Sequence, residues 1–392
     1  MDERLTVSHC LPVDLERALL VGRVWLPDAA GPAVVRVGAR GVEDLSRVAP
    51  TLSALLDLED PAAAVRAAAD LPQIASLEDT LANSAWNRRD PAQPWFLAPC
   101  DLQAIKASGV TFVSSMLERV IEEQARGDPA KAESVRRAIV AVIGEDLASV
   151  RPGSPEAATL KEVLIAQRAW SQYLEVGIGP DAEIFTKSQP MSAVGPGAEI
   201  GIHPKSEWNN PEPEIVLAVN SRGETLGATL GNDVNLRDFE GRSALLLGKS
   251  KDNNASCAIG PFVRLFDDDF TLDDVRSCEL AMRVDGPDGF VLEGSSSMAM
   301  ISRDPLDLVG QAIGANHQYP DGFVLFLGTM FAPTKDRLGP GKGFTHVLGD
   351  IVTIATPRLG ALVNRVNRSD RIEPWTFGVR ALAENLARRG LL

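Results

Sequence analysis

The spacing of apolar and polar residues changes partway along the chain. In the first half, apolar positions at helical spacing predict helices over Ser114 to Arg126, Pro129 to Ile143 and Pro155 to Leu174. From about Ile184 onward, short apolar runs alternate with clusters of Gly, Pro, Asn and Asp, which is typical of a domain built from many short strands. Helical spacing returns over Val379 to Arg388. These patterns together predict an α+β protein.

The first hundred residues have a pattern of their own. They predict two strands followed by two helices, over Leu19 to Trp25, Ala33 to Val37, Thr51 to Leu58 and Pro61 to Leu71. The stretch from Trp86 to Pro99 contains three prolines and has no regular period, which favours a boundary there. We therefore predict a smaller N-terminal α+β domain over residues 1–98 and a larger domain over residues 99–392.

Two glutamates alternate along the predicted strand that begins near Pro211. Since successive side chains on a strand point to opposite faces, Glu212 and Glu214 share one face with their backbones roughly 7 Å apart. The turn residues Asn220 to Glu224 predict a hairpin that would return Asp233 to the same place. Three carboxylates suit a hard divalent cation, namely Mg²⁺, Mn²⁺ or Ca²⁺. The same alternation is also typical of the solvated face of an edge strand, and the spacing alone does not separate these interpretations.

Composition argues against several classes of protein. The chain has 392 residues, with 39 basic and 53 acidic side chains and a formal charge of −14, and no basic cluster stands out. Nucleic acid and anionic membranes are therefore disfavoured as partners. A small anionic substrate is still compatible, because a bound cation can reverse the sign of charge inside a pocket. Residues 1–6 do not resemble a secretory signal and no apolar run is long enough to span a bilayer, so we expect a cytoplasmic protein.

Several motifs occur in order along the strand-rich half. They are Glu183 to Lys187, Val194 to Gly197, Gly231 to Asp238, Gly248-Lys249-Ser250 and Phe326 to Thr329. Together they resemble the core motifs of the fumarylacetoacetate hydrolase family, and the resemblance runs from about residue 107 to about residue 367. It implies a mixed β-roll catalytic domain and an assembly that is at least a dimer, with a homodimer or homotetramer expected.

The resemblance also implies roles for single residues. Lys187 and Lys249 match the active-site lysines of the family, and Thr329 matches a threonine that caps a substrate carboxylate. Arg237 is expected either to bind a substrate carboxylate or to form a structural salt bridge with a nearby acid. His203 is close to the glutamates in sequence, but the family pattern does not use it, so we expect it at the surface or behind the ligands.

One segment departs from the family pattern. Gly109 to Arg119 resembles the region in which hydrolytic members carry a His-x-x-Glu pair that activates water. Here Ser115 stands at the histidine position and Glu118 at the glutamate position. Without an imidazole, no obvious base generates the nucleophile that hydrolysis of a carbon–carbon bond needs. The metal site could still polarise a 2-oxo acid and stabilise an enolate.

A site that stabilises an enolate but has no group to activate water favours β-elimination. The chain is similar to the sugar-acid dehydratase branch of the family, which implies Mg²⁺-dependent dehydration of a 2-keto-3-deoxypentonate, with 2-keto-3-deoxy-D-xylonate giving α-ketoglutarate semialdehyde. In that hypothesis Ser115, Lys187, Arg237, Lys249 and Thr329 surround the substrate, and Glu118, Lys187 and Lys249 are the candidate catalytic groups. An exposed helical carboxylate is the alternative for Glu118. The same metal site would also suit an acylpyruvate hydrolase or an oxaloacetate decarboxylase, and a purely structural metal is a further alternative.

Overall fold

A computed structural model describes residues 4–126, 150–166 and 170–392, together with residues 128, 131, 132, 134 and 136. Most of the helix predicted over Pro129 to Ile143 lies outside the described residues. The predicted helix at Pro155 is present up to residue 166, and a second helix begins at Gln172. The helix at Val379–Arg388 has the predicted bounds.

Strands and helices alternate along the described part of the chain. Its strands are β1 (Leu20–Leu26), β2 (Gly31–Gly38), β3 (Gly41–Asp44), β4 (Gln73–Ala75), β5 (Trp95–Leu97), β6 (Ala104–Gly109), β7 (Glu183–Ser188), β8 (Glu199–Ile202), β9 (Asn209–Asn210), β10 (Pro213–Val219), β11 (Thr225–Asp233), β12 (Asn235–Leu236), β13 (Cys257–Leu265), β14 (Glu279–Asp285), β15 (Val291–Ser297), β16 (Phe323–Phe326), β17 (Ile351–Thr356) and β18 (Gly360–Arg368). Its α-helices are α1 (Val7–Cys10), α2 (Leu52–Leu56), α3 (Pro61–Ala67), α4 (Leu77–Ser84), α5 (Val113–Gln124), α6 (Pro155–Ala166), α7 (Gln172–Ile178), α8 (Arg237–Glu240), α9 (Leu247–Lys251), α10 (Leu272–Arg276), α11 (Pro305–Ala312) and α12 (Val379–Arg388).

The strands form mixed sheets. Within the described residues, the largest sheet has eleven strands in the order β4-β3-β2-β1-β13-β11-β10-β16-β6-β7, with β5 paired to β1. A five-stranded sheet has the order β15-β14-β17-β18-β8, and β12 pairs with β9. Most neighbours are antiparallel, whereas β16 with β6 and β18 with β8 are parallel. The α+β class with a mixed β-roll is thus confirmed.

The predicted hairpin is formed by β10 and β11. The two strands are antiparallel, with Glu214 opposite Gly231. The turn closes because the side-chain oxygen of Asn220 accepts hydrogen bonds from the backbone N–H groups of residues 222 and 224, and Gly223 takes a φ of 81°. At the other end of the hairpin, the backbone N–H of Asp233 donates to the carbonyl of Glu212 at 3.0 Å. The chain therefore returns Asp233 to the side of Glu212, as predicted.

The N-terminal strands continue the main sheet. Strand β1 pairs with β13, with Leu20 opposite Arg264 and Val21 opposite Val263. One hydrophobic cluster combines Val24 and other N-terminal residues with Phe262 and residue 363. Sheet and core therefore cross the boundary predicted between residues 98 and 99, so the N-terminal segment shares its packing with the rest of the chain.

In the described part of the chain, no helix is both long and apolar enough to cross a membrane.

Candidate active site

Three buried carboxylates meet at the end of the β10–β11 hairpin. Glu212 precedes β10, Glu214 is its second residue, and Asp233 ends β11. Each side chain offers an oxygen within 4.8 Å of the other two, and each residue is 1% exposed. The edge-strand alternative is therefore excluded, because the shared face of Glu212 and Glu214 points into the protein. We call these three residues the carboxylate triad.

Two buried lysines contact the triad. The Nζ atom of Lys251, at the end of α9, is 2.5 Å from Glu212 Oε2 and 2.9 Å from Asp233 Oδ2. Lys187, from β7, places its Nζ 2.8 Å from Asp233 Oδ1 and also donates to the Lys251 carbonyl. Burial alone would lower the pKa of Lys251, but the charges of Asp233 and Glu212 raise it above the ordinary value. Lys251 is therefore a fixed positive charge in this arrangement.

Glu214 has a different environment. Its carboxylate accepts hydrogen bonds from the backbone N–H of Gly328 at 2.7 Å and from Thr329 Oγ1 at 3.2 Å. Burial and the negative charges of Asp233 and Glu212 hold the pKa of Glu214 well above its usual range. The side chains around Glu214 thus leave its negative charge under-compensated.

Glu212 is ionised more easily because cations lie against it. Its Oε1 accepts a hydrogen bond from the guanidinium of Arg119 on α5, and its Oε2 contacts Lys251. Burial opposes ionisation, but the charges of Arg119 and Lys251 outweigh it and lower the pKa of Glu212 to about 2. Two glutamates on one strand face therefore have opposite pKa shifts, set by whether a cation touches them.

A chain of ion pairs extends from Glu212 into the protein. Arg119 Nη1 is 2.7 Å from Glu122 Oε2 and 3.3 Å from Glu240 Oε2. Arg237 Nε is 3.2 Å from Glu122 Oε1. Both glutamates and Arg237 are buried. These contacts join α5 to α8 and to the triad.

The described charges around the triad fit a divalent cation. Six carboxylates and four cationic side chains lie at or next to the triad. The carboxylates are those of Glu122, Glu183, Glu212, Glu214, Asp233 and Glu240, and the cations are those of Arg119, Lys187, Arg237 and Lys251. The formal excess is two negative charges. Burial and the neighbouring carboxylates together raise the pKa of Glu214. All-oxygen ligands are the donor set that Mg²⁺, Mn²⁺ and Ca²⁺ prefer.

A small cavity opens on the triad. Ser115, Glu183, Lys251 and Thr329 line it along with the three carboxylates. Burial, together with the negative charge of Glu240, raises the pKa of Glu183 to about 7. A Cβ atom on Gly109 would overlap the Glu183 carboxylate, so the position of this carboxylate depends on the glycine. The cavity therefore holds a carboxyl group suited to proton transfer near neutral pH.

Some of the predicted substrate-site residues lie at this cavity. Lys187 contacts the triad, and Thr329 donates to Glu214. Ser115 lines the cavity and donates from its hydroxyl to the carbonyl of Thr329. Arg237 does not reach the triad. It donates to Asn210 Oδ1 at 2.8 Å and pairs with Glu122, which is the salt-bridge alternative.

Two predicted catalytic residues lie elsewhere. Lys249 is exposed, with its Nζ 5.9 Å from the ring of Phe239, because it points away from the face of α9 that Lys251 uses. Glu118 accepts from Arg136, whose Nη2 is 2.7 Å from Glu118 Oε2, and it does not line the cavity. The structure therefore places Lys251, and not Lys249, at the triad, and it places the Glu118 carboxylate in a salt bridge outside the cavity.

His203 is also not among the described residues that could hold a metal ion together, which are the three of the carboxylate triad. Its ring lies against Phe239, 5.2 Å between centroids. This agrees with its expected place outside the ligand set.

Sequence reasoning missed five charged residues of the site: Arg119, Glu122, Glu183, Glu240 and Lys251. A local signal existed for Arg119, which stands four residues after Ser115 and therefore on the same helix face. Another existed for Lys251, which is only two residues beyond the matched lysine. Glu240 and Glu183 reach the site through tertiary packing, for which the sequence has no local pattern.

Comparison with known proteins gives the family. Residues 166–367 match the model of the fumarylacetoacetate hydrolase C-terminal family, and the chain belongs to that family. It is 32% identical over 193 residues to a 2-dehydro-3-deoxy-D-arabinonate dehydratase of Saccharolobus solfataricus, covering 48% of this chain and 60% of that one. It is 31% identical over 194 residues to a probable 2-keto-3-deoxyxylonate dehydratase of Haloferax volcanii, covering 50% and 63%. The chain thus aligns with less than two thirds of the length of each relative.

Solved structures share the fold. An apo 2-keto-3-deoxy-D-arabinonate dehydratase has a TM-score of 0.61 at 21% identity, covering 89% of this chain and 99% of that one. The same enzyme complexed with magnesium and 2,5-dioxopentanoate has a TM-score of 0.59 at 21% identity with the same coverage. At 21% identity, this similarity shows a shared fold and no more.

Proposed function

We propose that this protein is a metal-dependent hydro-lyase that dehydrates a 2-keto-3-deoxypentonate to α-ketoglutarate semialdehyde. The observation that carries the proposal is the carboxylate triad, which is buried at a cavity that Lys251 and Glu183 also line. The pKa of Glu183 is raised to about 7. Both curated relatives are named for dehydration of 2-keto-3-deoxy sugar acids, which supports this reaction class.

Glu212, Glu214 and Asp233 are the proposed ligands of Mg²⁺, with Mn²⁺ or Ca²⁺ as substitutes. Their charge excess and oxygen donors support this choice, as does the magnesium in the related solved structure. A cation held by these three residues would withdraw electron density from a 2-oxo group and so make the neighbouring C3 proton more acidic.

The side chains of the cavity supply the remaining functions. Lys251 provides a fixed positive charge in the cavity for an anionic substrate, and Lys187 contacts Asp233 behind it. The hydroxyls of Ser115 and Thr329 border the same cavity. Glu183 takes the C3 proton as a carboxylate and returns it as a carboxylic acid to the departing C4 hydroxyl, which leaves as water. The C3–H and C4–O bonds break, a C3–C4 double bond forms, and isomerisation to the C5 enol followed by tautomerisation gives the aldehyde.

The Glu118 carboxylate is less suited to that step, because it is engaged by Arg136 outside the cavity. Lys249 is also unsuited, since it is exposed.

We propose 2-keto-3-deoxy-D-xylonate as the substrate and a cytoplasmic homodimer or homotetramer as the working form. Light scattering of the purified protein measures the assembly, and a monomer at micromolar concentration would contradict it.

A coupled assay tests the reaction. The protein is incubated with Mg²⁺ and a panel of 2-keto-3-deoxy acids that includes both C4 epimers of the pentonate, and an aldehyde dehydrogenase reports semialdehyde. Semialdehyde formation from one pentonate supports the proposal. Two carboxylic acids from an acylpyruvate would indicate a hydrolase, and carbon dioxide from oxaloacetate a decarboxylase. Either product without semialdehyde would contradict dehydration.

A further inference from the structure

We infer that Arg119, held in place by Glu122 and Glu240, positions Glu212 for metal binding and so couples helix α5 to the metal site. The inference rests on the proposed metal site. It concerns residues outside the carboxylate triad, and its readout is metal affinity.

The contacts around Arg119 fix its guanidinium from two sides. One terminal nitrogen, Nη2, donates to Glu212 Oε1. The other, Nη1, is 2.7 Å from Glu122 Oε2 and 3.3 Å from Glu240 Oε2. Arg119 is 8% exposed, and its two holding carboxylates are 1% and 4% exposed. A planar guanidinium with one terminal nitrogen on two acids presents the other terminal nitrogen to Glu212 in one direction.

The chain of contacts returns to the segment that carries Glu212. Glu122 contacts Arg237 through its second oxygen, at 3.2 Å. Arg237 Nε also donates to Asn210 Oδ1 at 2.8 Å, two residues before Glu212. The side chain of Glu212 and the backbone that precedes it are therefore both tied to Glu122. This closed loop of contacts holds the first metal ligand more firmly than one ion pair would.

Arg119 could instead serve only to neutralise buried negative charge. The two roles predict opposite results for the metal. A neutralising cation beside the site repels Mg²⁺, so its removal should tighten Mg²⁺ binding. A positioning residue orients the ligand, so its removal should weaken binding, as loss of groups behind metal ligands does by about 10- to 100-fold.

Calorimetric titration of the substrate-free protein with Mg²⁺ separates these roles. The variants are Glu122→Gln, which is nearly isosteric and keeps Arg119, Arg119→Met, Arg119→Lys and the double variant Arg119→Met/Glu122→Gln. We expect at least about tenfold weaker binding for Glu122→Gln and for Arg119→Met, with partial recovery in Arg119→Lys. The weakening in the double variant should be smaller than the two single effects combined, because Glu122 acts in part through Arg119.

Arg264→Met is the matched control. Arg264 is also buried and pairs with a carboxylate, that of Asp14 at 2.7 Å, but it lies away from the triad. Its loss should lower the melting temperature and leave Mg²⁺ affinity unchanged. Unchanged or tighter binding in a folded Arg119→Met or Glu122→Gln protein, or equal weakening in Arg264→Met, would overturn the coupling alone. A wild-type protein that binds no Mg²⁺ would overturn the proposed metal site together with the coupling.

Discussion

At the residue scale, Lys251 contacts the carboxylate triad, whereas Lys249, two residues earlier, is exposed to solvent. Lys249 and Lys251 belong to the same short helix, but residues two apart on a helix face different directions. Only Lys251 is buried against Glu212 and Asp233. The Gly-Lys-Ser motif locates the helix, whereas tertiary packing decides which lysine enters the site.

We expect Lys251→Met to lower kcat/KM by about 100-fold or more, because a preorganised charge in a water-poor site contributes strongly to catalysis. Lys249→Met should keep kcat/KM within about threefold, since that side chain is exposed. Steady-state kinetics on both variants measures the difference, and circular dichroism checks folding. Equal losses for the two variants would contradict the assignment.

Glu183 should set the acid limb of the pH profile. Its pKa is raised to about 7, so the carboxylate that accepts the C3 proton forms only as the pH rises through that value. We expect kcat/KM to rise about tenfold per pH unit below pH 7 and to level off above it. In Glu183→Gln this ionisation should disappear from the profile, and kcat/KM should fall by about 100-fold or more. The exposed Glu293→Gln change is the control, and a profile that Glu183→Gln leaves unaltered would exclude this role.

At the element scale, the β10–β11 hairpin builds the site. The sequence predicts it well, because the alternation of Glu212 and Glu214 and the turn at Asn220 to Gly223 are local signals. The approach of α5 and α8 to the hairpin was not predicted. Arg119 and Glu240 are 121 residues apart in the chain, and nothing in their local sequence marks them as partners.

Close packing behind the hairpin requires a glycine opposite Glu214. A Cβ atom on Gly231 would overlap the Phe326 ring and the Val216 side chain. We expect Gly231→Ala to cost about 1–3 kcal/mol of unfolding free energy, the usual cost of overpacking. Gly248→Ala is the matched control, because a Cβ there meets no atom within 4 Å and replaces glycine in a helix. Urea denaturation compares them, and a Gly231→Ala midpoint at or above that of the control would refute the packing argument.

At the scale of the whole molecule, the N-terminal strands and the catalytic strands form one sheet. The irregular stretch from Trp86 to Pro99, with its three prolines, predicts a boundary, and this signal is local. The pairing of β1 with β13 joins residues more than 200 positions apart, which the sequence does not show. The fold class was predictable from the short apolar runs that alternate with turn residues. The continuity of the sheet was not predictable.

Removing residues 1–98 should therefore prevent cooperative folding. Without β1 and its neighbours, β13 loses a strand partner and Phe262 and Val263 lose part of their cover. We expect the fragment 99–392 to aggregate or to melt without a sharp transition, whereas the full chain melts cooperatively. Thermal melts followed by circular dichroism measure this. A fragment that melts as sharply as the full chain would show that the N-terminal segment is a separate domain.

The central claim is that the carboxylate triad holds a divalent cation that the dehydration requires. The most direct test follows semialdehyde formation from 2-keto-3-deoxy-D-xylonate by metal-stripped protein while Mg²⁺ is titrated back. The account predicts negligible rate without metal, saturable recovery with Mg²⁺, and no recovery in Glu214→Gln, in which one ligand is lost while circular dichroism shows a folded protein. Full-rate semialdehyde formation by the metal-stripped wild type, or Mg²⁺-dependent recovery in Glu214→Gln equal to the wild type, would contradict it.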